Sequence, residues 1–303
     1  MAANFEPPDL TRAILNTLTY ADIFNCPLTA EQIHRYLPGL SATPQSVAEQ
    51  SCCLAADGLI ARVGDFYMLA GREDIASLRI QRQRSAEQLW PLAINFGRIV
   101  AGLPFVRMVA VTGSLAVDNV NHSGDIDYLI VTVPGWLWLC RLLVLIVVRI
   151  ASWRGVRLCP NYFLSENAIE LPDRNLYTAH EFAQMVPLFG SGIYQRMRTV
   201  NPWIQDFLPN AGGPPSSAHL ATGPGPSLGL RSLVERILMT APGFWLGNWE
   251  MARKIRRLSQ ENAGNPEAVF NADQCKGHSN RHGQRTQVAL LQRLEKLTLE
   301  PRK

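Results

Sequence analysis

The stretch VTGSLAVDNVNHSGDIDYLIVT, residues Val111 to Thr132, sets a Gly-Ser pair ten residues ahead of an Asp-Ile-Asp triplet. Both ends are apolar and β-branched, as buried strands are, while the middle is polar. Asp125 and Asp127 stand two apart on the expected strand, so both side chains point to one face. Two carboxylates on one face repel each other, and a core does not keep both charged. A divalent cation resolves that repulsion, and a hard oxygen donor set suits Mg2+, with Mn2+ as its substitute. Ahead of the aspartates, a strand enters Gly113-Ser114 and leaves as a helix, presenting backbone N–H groups and a hydroxyl to an anion. A phosphate cradle beside a carboxylate-held cation is equipment for phosphoryl or nucleotidyl transfer. The plainer readings are an edge-strand acid pair facing water, and Ser114 as a helix N-cap.

Outward from this stretch, strand-like and helix-like patterns alternate. VRMVAV and DIDYLIV read as strands, residues 136–153 as a long apolar helix, and VRLCPNYFL as a third strand, which makes an α/β heart. The segment WLWLCRLLVLIVVRI is fifteen residues long and carries Arg141 and Arg149. A membrane-spanning helix needs about 20 predominantly apolar residues, so a helix buried in the core fits better and no membrane span is expected.

On the N-terminal side, residues 9–70 read as three helices and a hairpin. Asp9, Thr29 and Thr43 are candidate N-caps, Pro44 sits at a first helical position, and a Gly64-Asp65 turn joins two short strands. That order resembles a winged helix. The third helix, 44–57, carries Glu49 and Asp57 but no Lys or Arg, the wrong sign for a phosphate-lined groove. DNA binding is therefore disfavoured, and a docking module or lid support is expected. A long connecting helix follows, with Arg79, Arg82 and Arg84 read as a solvated face and Pro91 as a kink or break. Residues 211–230 are rich in Gly, Pro and Ser and read as a linker, with helices beyond it. The expected organisation is 1–72, 73–210, 211–230 and 231–303.

The chain has 303 residues, 47% of them hydrophobic and 18% charged, with a net charge of +4. That is the composition of a soluble globular protein with room for a full core. Its six cysteines form no C-x-x-C pair, and the acidic, Pro-Pro-containing start does not read as a signal peptide, so a reduced, cytoplasmic protein is expected.

Gly113-Ser114, the ten-residue gap, and Asp125-Ile126-Asp127 followed by apolar residues resemble the polymerase β-like nucleotidyltransferase superfamily. The likeness is strongest over about 106–164. With LCPNYFL and LYTAHEFAQMVPLFG, the chain looks like a bacterial branch that carries an N-terminal winged-helix-like region. The resemblance implies a minimal mixed sheet flanked by helices. It further implies Mg2+ on Asp125 and Asp127, and a nucleoside triphosphate whose phosphates rest on Gly113 and Ser114. A nucleoside monophosphate would pass to a hydroxyl on a protein, RNA or small-molecule acceptor. A third acidic residue usually stands on the next strand, where this chain offers Asn161 as the inward polar residue. Asparagine can ligate a metal but cannot act as a base. The alternative is thus a nucleotide-binding or scaffold protein of the same fold with little or no turnover. Glu166 and Glu181 are the candidates to supply a carboxylate from outside the strand.

Four other groups read as structural first. His122 and Ser123 fill a polar loop, and His180-Glu181 reads as a satisfied pair on a helix face. Cys275, His278 and His282 lack the fourth ligand that structural zinc needs. The arginines of EMARKIRRL read as a solvated helix face.

Overall fold

The computed structural model describes residues 9–122, 124–215, 228–277 and 282–299. Three helices open the chain: α1 (Leu10–Asp22), α2 (Ala30–Arg35) and α3 (Pro44–Ala56). Their starts are those the sequence marks. Asp9 accepts the Arg12 N–H, Thr29 and Gln32 close a reciprocal capping box, and Thr43 accepts the Ser46 N–H. Each cap satisfies a donor that the first turn leaves without an intrahelical partner. Strands β1 (Ile60–Val63) and β2 (Phe66–Leu69) form an antiparallel hairpin against these helices.

The long helix α4 (Asp74–Ala101) runs continuously through Pro91, so of the two expectations there, a kink or a break, the break does not form. The central sheet is built from β3 (Val106–Thr112), β4 (Ile126–Thr132), β5 (Leu158–Ser165), β6 (Val186–Phe189), β7 (Val269–Phe270) and β8 (Gln274–Lys276). Its strand order is β6-β3-β4-β5-β8-β7, with β4 and β5 parallel and the other pairs antiparallel. The fold is a mixed α/β architecture, a central mixed sheet flanked by helices. The C-terminal region, expected to be helical, also supplies the edge hairpin β7–β8.

Alternation along the strands loads both faces. Val109, Val111, Tyr128 and Ile130 pack in one apolar cluster with residues of α4 and of α6 (Leu137–Trp153). Met108, Ala110, Leu129 and Val131 pack in another, with residues of α7 (Leu176–Gln184), α8 (Ser191–Val200) and α9 (Ile204–Phe207). A sheet covered on both sides has near-continuous apolar strands, as this one does. Helix α6 packs one face into the core but leaves Ile146, Ile150 and Trp153 exposed, so it is not the fully buried helix expected; no described helix is long and apolar enough to cross a membrane. Its Arg141 and Arg149 sit over the rings of Trp138 and Trp153. Helices α10 (Leu228–Leu238), α11 (Ala241–Glu261) and α12 (His282–Leu299) complete the chain. Asp22 on α1 joins Arg293 of α12 at 3.1 Å and Arg72 at 2.7 Å, so the N-terminal helices are clamped to the C-terminal one.

Candidate metal and nucleotide site

Strand β3 ends at Thr112, paired with Asp127, and the chain turns there through Gly113 into the one-turn helix α5 (Gly113–Ala116). Gly113 has φ +65°, a left-handed conformation that costs glycine little. It also gives Asp127 its place, because a Cβ at Gly113 would come within 2.4 Å of Asp127 Oδ2. This glycine thus opens space first for a carboxylate, a role the sequence does not reveal. Ser114 lies within the turn and does not cap it; the N-cap is Thr112, whose side chain makes no capping bond. A single turn has little macrodipole, so anion binding here would fall to individual N–H groups and the Ser114 hydroxyl.

The loop from α5 to β4 is held from behind by α4. Arg79 Nη1 donates to Val117 O at 2.8 Å, and Trp90 Nε1 donates to Asp118 Oδ1 at 2.7 Å. Arg82 donates to Asn119 Oδ1, Asn121 Oδ1 and the carbonyls of Phe24 and Asn25. Of the three arginines expected on a solvated face, Arg84 is exposed while Arg79 and Arg82 are not free in solvent. Arg79 is buried, and both residues tie the loop to α4 and to the end of α1. Within the loop, His122 is exposed and Ser123 lies outside the described residues.

Asp125 stands just ahead of β4 and Asp127 within it, opposite Cys159 in the parallel β4–β5 register. The register then shifts: Leu129 faces Tyr162, so β5 spends one residue more than β4 over this interval. The bulge contains Pro160, which has no N–H to give the ladder. It brings Asn161 to the same carboxylate as Cys159, and Asn161 Nδ2 donates to Asp127 Oδ1 at 3.0 Å. Donor atoms of Asp125, Asp127 and Cys159 lie within 4.8 Å of one another, a set that could coordinate a divalent metal. In sequence Cys159 reads as a small hydrophobe. Regular alternation does put it on the face of Asn161, and that parity is the available signal.

The electrostatics are those of a crowded acidic pocket. Burial, then the neighbouring Asp125, lifts the Asp127 carboxyl from 3.8 to about 7, against a hydrogen bond from Cys159. Burial and the same two aspartates push the Cys159 thiol up to about 12. Glu181 of α7 is lifted to about 7 by burial, with Lys276 opposing. A cation bound by this cluster would relieve Asp127 and Cys159, since it favours the charged form of each.

Gly113, Ser114, Asp125, Asp127, Cys159 and Asn161 open onto one cavity of about 520 Å³, within the range of small-molecule sites. The residues read from the sequence as nucleotide or metal ligands are brought together here; of the two outside carboxylates, one is not. Glu166 is drawn into ion pairs with Arg196 at 2.7 Å and Arg107 at 3.9 Å and does not line the cavity. Glu181 does line it. His180 and Glu181 are not the satisfied pair expected of a helix face: His180 is buried with Nδ1 unpartnered, and Glu181 turns to the cavity. Cys275 is buried in β8, while His278 lies outside the described residues, so that zinc candidate has no described geometry. On EMARKIRRL, Arg253 pairs with buried Glu250 and Arg257 with Glu261. Compared with protein-family models, with characterised proteins and with solved structures, the chain finds no match.

Proposed function

We propose that this chain binds a nucleoside triphosphate together with a divalent cation, on a polymerase β-like nucleotidyltransferase scaffold preceded by a winged-helix-like module, with weak or no transfer of its own. One observation supports this reading above the rest. Asp125 and Asp127 converge with Cys159 beside the Gly113-Ser114 turn, while Asn161, which cannot act as a base, donates to Asp127 where the family resemblance would set a third carboxylate.

The donor set fits a divalent ion. Two carboxylates suit Mg2+ or Mn2+, and the thiol extends the range toward softer ions such as Zn2+ and Co2+. Asp125, Asp127 and Cys159 would hold the ion, which when bound would neutralise phosphate charge. Backbone N–H groups of the α5 turn and the Ser114 hydroxyl would orient the phosphates. Asn161 steadies Asp127 through its Nδ2.

Glu181 favours a second reading, active nucleotidyl transfer. It is a carboxylate outside the metal cluster, lining the same cavity and titrating near neutrality, where a general base works well. In that reading Glu181 takes the proton of an acceptor hydroxyl as the new O–P bond forms and pyrophosphate leaves. Incubating the protein with each α-labelled NTP and Mg2+ or Mn2+ separates the two. Retention of labelled nucleotide without release of pyrophosphate supports binding alone, and Glu181-dependent pyrophosphate release supports transfer.

A further inference from the structure

Helices α6 and α11 pack together on one side of the sheet, where Leu246, Met251, Ile255 and Leu258 of α11 join the apolar cluster of α6. Their outer faces meet water, and those faces are not simply polar. Ile146, Arg149, Ile150 and Trp153 stand at i, i+3, i+4 and i+7 on α6, so they share one stripe, and all four are exposed. On α11, Trp245, Trp249 and Arg256 form a second exposed stripe at i, i+4 and i+11. Trp153, Trp245 and Trp249 are 73%, 69% and 50% exposed, whereas the other four tryptophans are at most 6% exposed. Large rings set in water at helical spacing imply a surface that something covers.

Charge decides what kind of partner fits. Between Asp127 and Glu166 the sequence holds no acid but four arginines, Arg141, Arg149, Arg154 and Arg157. The last three are exposed. On α11 the acids Glu250 and Glu261 are matched by Arg253 and Arg257, which leaves Lys254 and Arg256 in excess. Burial, then Arg253, lowers the Lys254 ammonium pKa against Glu250, and Arg141 of α6 adds to the effect. Guanidinium groups also lie over two of the exposed rings, Arg149 on Trp153 at 5.8 Å and Arg253 on Trp249 at 5.2 Å. A second copy of the chain does not suit this surface, because an isologous contact would set arginine against arginine. A nucleic acid would answer the charge but has little use for Ile146 and Ile150. An anionic bilayer answers both features. Tryptophan rings sit at its headgroup level, aliphatic side chains enter the acyl boundary, and arginines reach the lipid phosphates.

We propose that the outer faces of α6 and α11 dock this protein on an anionic membrane surface, as a peripheral contact and not a span. The inference stands apart from the nucleotide reading. Asp127 alternates with Ile126 and Tyr128, which pack on the α6 side of the sheet, so the metal cluster lies on the other side. Docking through α6 and α11 would leave that cluster uncovered by lipid.

Vesicle flotation of the full chain tests this, with phosphatidylcholine alone and equimolar phosphatidylcholine and phosphatidylserine as the probes. At low salt the wild type should float with the anionic vesicles only, and its tryptophan emission should shift to the blue as the exposed rings leave water. The variant Trp153→Ser, Trp245→Ser, Trp249→Ser removes only exposed rings; it should lose about tenfold or more in vesicle affinity, together with the blue shift. The variant Arg154→Gln, Arg157→Gln, Arg256→Gln keeps the rings and should bind about fivefold more weakly per arginine removed. The proposal is overturned if the wild type does not float with anionic vesicles, or floats equally with neutral ones. It is also overturned if either triple variant binds anionic vesicles as tightly as the wild type. Binding of poly(U) RNA but not of vesicles would make this a nucleic-acid surface. A wild-type dimer that the tryptophan variant dissociates, without vesicle binding, would make it a self-association face. Either outcome overturns membrane docking.

Discussion

Replacing Asp127 by Asn should stabilise the metal-free protein and remove its response to metal, two effects that seldom go together. Asp127 has a carboxyl that titrates near 7 in the folded chain and near 3.8 when unperturbed. Because its folded pKa is raised, the group favours folding most below about pH 4, and stability falls as pH rises between the two values. The interval corresponds to about 4 kcal/mol as an upper bound, of which roughly 2–3 kcal/mol falls between pH 5 and pH 8. Relaxation and water penetration reduce such penalties, so a gain of about 1–2 kcal/mol at pH 8 is expected for Asp127→Asn. Asparagine keeps an oxygen to accept from Asn161 Nδ2, so the geometry of the bulge is preserved. Urea unfolding at pH 5 and pH 8 in chelator, then in Mn2+, measures both effects. The variant should gain on the wild type at pH 8, gain less at pH 5, and show no Mn2+ stabilisation. If wild type and variant share one pH dependence, or if Mn2+ stabilises both equally, Asp127 is not a buried metal-binding carboxylate.

Three further outcomes follow from the same geometry. Asn161→Asp adds a third carboxylate beside Asp127 and should raise Mn2+ affinity about tenfold at pH 8, read by isothermal titration; unchanged affinity would mean that its side chain does not reach the ion. Cys159→Asp replaces a soft donor with a hard one and should move preference from Zn2+ or Co2+ toward Mg2+, while loss of a near-ultraviolet charge-transfer band in the Co2+-loaded protein reports the missing thiolate; an identical Co2+ spectrum would exclude Cys159 as a ligand. Gly113→Ala meets both a left-handed backbone and the Asp127 carboxylate at 2.4 Å, so it should cost about 1–3 kcal/mol in unfolding experiments and weaken metal binding as well.

The part of the fold nearest the Gly-Ser and Asp-Ile-Asp motif is the most legible in the sequence. Val106–Thr112 and Ile126–Thr132 carry apolar residues at every buried position but Thr112 and Thr132, and the caps at Asp9, Thr29 and Thr43 mark their helices locally. What stays hidden depends on partners distant in sequence. Strands β7 and β8 are two and three residues long, too short for any periodicity, and exist because β8 finds β5. Arg79 and Arg82 look like a solvated face because their acceptors are groups of other segments, backbone carbonyls above all, which no charge pattern discloses. Cys159 is hard to see because a lone thiol in an apolar run reads as packing, and the bulge at Pro160 that seats it and Asn161 around one carboxylate is a pairing feature. Glu181 is visible as a candidate but not as a cavity residue, since α7 reaches the site only through tertiary packing.

Asp125 and Asp127 are proposed to build a cation site that receives a triphosphate. Titration of Mn2+ into the full chain at pH 8, followed by electron paramagnetic resonance with and without NTP, addresses it directly. A single saturable site per chain, tightened by NTP and lost in the Asp125→Asn, Asp127→Asn double variant, is the predicted result. Absence of a saturable site in the wild type, or one that survives in the double variant, would contradict it.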